Sequence, residues 1–211
     1  MSVITQQPTT SRGRLRPAVL LPAVALVAAA ASQIDAAVIT NAYRSASPAP
    51  KDTLNFPWYG DLAGQISTWW SFSGLFLVVG FVAFARSRAV AGSRYGRAGA
   101  WAAVVAAAGI VVANFLSAAN ADAMENNGIG GAIGLVFGVC TVLLGVGFTT
   151  AGIATLRSGG WQGVGRFTPL VNGIWPLVMI GLIVADQVQL AVGIMAALQV
   201  TLGAALIAEE A

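Results

Sequence analysis

The chain has 211 residues, of which 57% are hydrophobic and only 9% charged, with a mean hydropathy of +0.77; soluble domains hold about a quarter of their residues as charges, so this chain belongs in a bilayer. Its net charge of +3 is carried by arginines spread over short segments between apolar runs, which is a topology signal and not a nucleic-acid surface. Histidine is absent, Cys140 is the only cysteine and Lys51 the only lysine, which excludes Ser/His hydrolases, ordinary zinc sites, His-ligated haem, disulfide or thiol pairs, and an intramembrane Schiff base.

Residues 1–16 are polar and basic and read as a flexible cytoplasmic tail. Residues 17–211 read as one transmembrane domain. A hydrocarbon core of about 30 Å takes about 20 helical residues, and six runs qualify: 17–37, 66–85, 98–119, 129–156, 167–185 and 187–208. The first resembles a cleavable leader in its basic start and its small residues at 29–31, but "AAVIT" continues the apolar run past the possible cut, so an uncleaved helix is expected.

The segment 41–65 is the longest loop, and Pro48, Pro50 and Pro57 keep it from forming a regular helix. Its cluster "NFPWYG" brings Phe56, Trp58 and Tyr59 together, followed by Trp69 and Trp70. These aromatics suit a headgroup-level belt; the alternative is a lid or partner-docking loop on the outer face. In the second run Ser67, Ser71 and Gly74 share a helix face, as do Asn114 and Ser117 in the third. Such residues join helices at about 1 kcal/mol or less each, or line a solute path. The basic segment "RSRAVAGSRYGR" between these runs fits positive-inside orientation and, alternatively, attraction of anionic lipid.

The fourth run opens "GIGGAIGLVFG", with Gly130, Gly134 and Gly138 four residues apart. No Gly-Lys-Ser/Thr follows, so a nucleotide loop is excluded. Small residues at this spacing form a groove for close helix packing, within the bundle or with another chain. The fifth run, "RFTPLVNGIWPLVMIG", holds the candidate ligand site: Pro176 has no amide hydrogen for the carbonyl of Asn172, and Trp175 lies between them. Broken helices of this kind hold binding groups in transporters, and Asn114 is the other amide in a central run. A proline kink satisfied by a neighbouring helix is the alternative.

The apolar stretch that follows is twice the length of one crossing, so the chain must turn near Asp186. Asp186 as N-cap with Gln189 at the third helical position makes a capping box for the sixth helix; the alternative is an intramembrane functional carboxylate. Gln199 and Thr201 are the polar residues deeper in the last run.

With the amino terminus in the cytoplasm, Arg12, Arg14, Arg16, Arg86, Arg88, Arg94, Arg97, Arg157 and Arg166 all fall inside, and only Arg44 and Lys51 fall outside. Six crossings return the carboxyl terminus to the same side. Asp35, Asp52, Asp61, Asp122, Glu125 and Asp186 then lie at the outer face, where acids could hold a divalent ion. The expectation is an all-α bundle of six transmembrane helices with both termini cytoplasmic. Abundant Ala, Gly, Val and Arg with a single Lys fits a high-GC bacterium, hence an inner membrane.

The expected function is non-enzymatic: a scaffold or accessory component that associates with a protein partner or with itself through small-residue helix faces, with no cofactor, metal or nucleic acid. The alternatives are a carrier or binder of a small or lipophilic solute at the broken fifth helix, and an outer-face metal-dependent enzyme.

Overall fold

In the computed structural model, which describes residues 17–125 and 127–210, the chain forms α1 (Pro17–Tyr43), α2 (Gly60–Ala85), α3 (Arg88–Ala91), α4 (Arg94–Ala119), α5 (Gly128–Ser158), α6 (Thr168–Val184) and α7 (Val188–Glu210), with a 3-10 turn at Gly165–Phe167 before α6. Six of these helices, all but the one-turn α3, are long and apolar enough to cross a membrane. The expectations for residues 1–16, including Arg12, Arg14 and Arg16, lie outside the described residues.

Each long helix packs against its neighbours in sequence, and α7 closes on α1, so six antiparallel helices surround one core. The described chain starts and finishes at the same end, the terminal end, where Arg88 donates to the carbonyl of Glu209 and Glu209 Oε2 accepts from the amide of Gln162 at 3.2 Å.

Little of the packing follows from amphipathic stripes, because the helices are apolar all round, as a bilayer requires. Glycines set the approach instead. A Cβ on Gly99 would lie 2.6 Å from the carbonyl of Gly147, and one on Gly147 would lie 2.7 Å from the carbonyl of Gly99, so α4 and α5 touch backbone to backbone. Around the terminal half of the core, the rings of Phe81 and Phe148 meet edge to face at 4.8 Å. Trp161, from the α5–α6 connection, sits against Phe84 at 5.8 Å and is 1% exposed. It seals that end.

The first loop is shorter than the expected 41–65, because α1 runs to Tyr43 and α2 starts at Gly60. What remains is folded onto the α4–α5 connection. Leu54 N–H donates to the carbonyl of Ala123 at 2.9 Å and Glu125 N–H to that of Asp52 at 2.8 Å, around an antiparallel bridge between Thr53 and Met124.

The turn between α6 and α7 corrects one expectation. Asp186 has φ 60°, and its N–H donates to the carbonyl of Ile183 at 3.0 Å while Gln187 N–H reaches back to Leu182 at 2.8 Å. This bond pair is a Schellman motif. Asp186 therefore ends α6 and does not begin α7. The first backbone bond of α7 runs from Ala191 to the carbonyl of Gln187, which makes Gln187 the N-cap and Gln189 the second helical residue, so the capping-box spacing is lost.

Candidate functional site

Two places collect the residues that carry chemical or recognition potential: one face of α5, and the layer where α6 and α7 meet in the interior.

On α5, Gly134, Gly138, Gly145 and Gly152 fall on one face by helical periodicity. In the terminal half this face is filled by α6. A Cβ on Gly145 would come within 2.9 Å of Leu177, and those on Gly152 and Gly173 would collide with the backbone of Leu170 and Thr149. Beyond Leu177 the contact ends. Gly134 and Gly138 on α5, and Gly181 on α6, have nothing within 4 Å of where a Cβ would sit. Two features explain the opening. Pro176 sits inside α6 just before Leu177, where a proline bends a helix. Moreover α5 has 31 residues and α6 only 17, a difference of about 20 Å at about 1.5 Å per residue. The result is an open glycine face on α5, near the exposed side chains of Leu135, Leu177 and Val184.

Gly130, the third glycine of the expected groove, continues this face but is not open. It is buried against the carbonyl of Met124 in the preceding loop, and its N–H donates to Asn127 Oδ1 at 2.6 Å, the N-cap bond of α5.

At the α6–α7 layer, Asn172 Nδ2 donates to the carbonyl of Thr168 at 2.8 Å and to that of Leu198 at 2.9 Å. Trp175 Nε1 donates to the carbonyl of Ala191 at 3.0 Å. Both side chains thus join α6 to α7 in the turn of α6 that precedes Pro176. Asn172 Oδ1, in a residue 0% exposed, has no hydrogen-bond partner, and neither has Oε1 of Gln199, in a residue 5% exposed. Asn114 is not brought to this site: it lies near the far end of α4, which packs on α2 and α5, whereas Asn172 lies near the start of α6.

The aromatic loop is engaged within the chain. Trp58 stacks on Tyr43 at 4.7 Å and its Nε1 donates to Thr40 Oγ1 at 3.2 Å. Phe56 lies 5.3 Å beneath the guanidinium of Arg44, which forms an ion pair with Asp186. Only Tyr59 of the three is exposed. The residue that organises the loop is one that aromatic pattern reading passes over: Asn55 Nδ2 donates to the carbonyl of Ala121 at 2.8 Å, and its Oδ1 accepts from Ser67 Oγ at 2.6 Å and Ser117 Oγ at 2.8 Å. Ser67 and Ser117 are thereby accounted for as anchors of a cap. Among the described residues no three acidic, cysteine or histidine side chains come together as a metal-binding group.

Compared with known proteins, the chain matches no family model, no curated protein and no solved structure.

Proposed function

We propose that this is a non-enzymatic multi-pass membrane component that receives a helix, from a second copy or from another membrane protein, on the open glycine face of α5 beside α6. The observation that carries this reading is the contrast along α5: Gly145, Gly147 and Gly152 are each used up by a neighbouring helix, while Gly134 and Gly138 lie open on a lipid-facing surface. Glycine offers little dispersion surface to lipid chains, but it lets a second backbone come close, which is where association in a bilayer gains its energy. The arginines at the terminal end support a cytoplasmic location for both termini, and the composition supports a bacterial inner membrane.

Replacing Gly134 and Gly138 together by Leu tests the reading. The variant is expected to fold as the wild type and to lose its partner, seen as a smaller complex by native mass spectrometry from mild detergent. A complex of unchanged mass would sink it.

A further inference from the structure

The interior where α6 meets α7 has a property that helix association on the outer face does not explain. Asn172, Pro176 and Met179 form the buried stripe of α6, and Met195, Gln199, Leu202 and Leu206 form that of α7. The bond from Asn172 Nδ2 to the carbonyl of Leu198 sets Asn172 level with Gln199. The orientation of the Asn172 amide is fixed, because its nitrogen serves two carbonyls, so its oxygen is the atom left over. Gln199 Oε1 is the second unpartnered oxygen in this layer. A third acceptor is close: the main-chain carbonyl of Asn172 loses its helical donor because residue 176 is proline. Thr149 Oγ1, also unpartnered, lies against the Gly173 position.

In low-dielectric surroundings each unpaired buried acceptor costs about 1–3 kcal/mol, and native interiors rarely keep several together. Two side-chain acceptors of this layer, Asn172 Oδ1 and Gln199 Oε1, are left without a donor. We infer that Asn172 and Gln199 bind a small neutral molecule that presents two N–H or O–H donors, bridging their two side-chain oxygens in the middle of the bundle. A water molecule and a small polar solute share this chemistry. An ammonium or metal ion is disfavoured, because no carboxylate stands in the buried stripes of α6 or α7 to balance its charge.

The test uses the full-length, 15N-labelled wild-type protein in detergent and the variant Gln199→Met. Methionine keeps the length and shape of glutamine without its oxygen. The side-chain amide protons of Asn172 or Gln199 are expected to show a nuclear Overhauser contact with water if water is the bridge. Contact with a non-exchanging proton of a small molecule, which mass spectrometry then finds released on denaturation, would identify a solute. With either bridge Gln199→Met is expected to melt about 2–4 °C lower, the shift that one lost hydrogen bond makes in a chain of this size. No contact of either kind in the wild type would overturn the site, as would a melting temperature that stays level or rises in the variant, since removing a lone unpaired acceptor stabilises. Association through Gly134 and Gly138 is read by complex mass, so the two proposals fail separately.

Discussion

The two halves of the glycine face on α5 have the same composition and opposite fates. In the terminal half Gly145 and Gly152 meet Leu177 and Leu170 of α6; in the far half Gly134 and Gly138 meet nothing. Spacing alone does not distinguish them. What does is the neighbouring helix, which is short and carries Pro176 in its interior. A small-residue motif thus specifies that close approach is possible, while the length and straightness of the next helix decide whether the chain itself supplies it.

The largest effect expected from breaking this contrast is at the closed half. Gly152→Leu would drive a side chain into the backbone of Leu170, and overpacking of this kind costs about 1–3 kcal/mol, occasionally more. Thermal unfolding in mild detergent is expected to shift down by about 5 °C or further, while the Gly134/Gly138 double variant is expected to melt with the wild type once dissociated. Equal melting of both variants would mean that the two halves do not differ.

The six crossings were readable from the amino acids because length and apolarity are local properties and the bilayer thickness is fixed. The corner at Asp186 was readable for the same reason, since two crossings cannot fit one span. Its cap was not: whether a polar residue ends one helix or begins the next depends on a single φ angle, and Asp serves at either place. Asn172 and Trp175 stood out through the proline, and the structure gives their N–H groups to carbonyls of α7. Gln199 did not stand out, because its significance lies in its unpartnered oxygen at the level of Asn172 on another helix. Trp161 and Asn55 were invisible for a like reason: a loop tryptophan that plugs a core and a loop asparagine that bridges Ser67 and Ser117 are long-range pairings. Nothing in their local sequence marks them.

Straightening α6 sharpens the comparison from the other side. Pro176→Ala restores an amide for the Asn172 carbonyl and is expected to bring the far half of α6 toward α5. Cysteines placed at Gly138 and Gly181, with Cys140 replaced by Ala, report the distance. With Pro176 in place the pair is expected to stay reduced under mild oxidation, because Cα atoms more than about 7 Å apart cannot be bridged without backbone movement; in the Pro176→Ala background it is expected to cross-link. Cross-linking at the same rate in both backgrounds would assign the opening to the shortness of α6 alone.

The smallest effect concerns the turn that fixes where α6 stops. Asp186 contributes in two ways that pull apart on substitution: it occupies a left-handed conformation, and its side chain, 73% exposed, pairs with Arg44. An exposed pair of this kind is worth about 0–1 kcal/mol, and a left-handed residue with a Cβ costs about 1 kcal/mol relative to glycine. Asp186→Gly therefore loses the ion pair and relieves the backbone, and its melting temperature is expected to stay within about 2 °C of the wild type. Asp186→Ala loses the pair and keeps the strain, so it is expected to fall by up to about 4 °C and to melt below Asp186→Gly. Raising the salt concentration separates the two contributions, since screening weakens the Arg44 pair and leaves the backbone cost untouched: the gap between Asp186→Ala and the wild type should narrow, and the gap between Asp186→Ala and Asp186→Gly should persist. If the Ala and Gly variants melted together at every salt concentration, the left-handed turn would not be what ends α6.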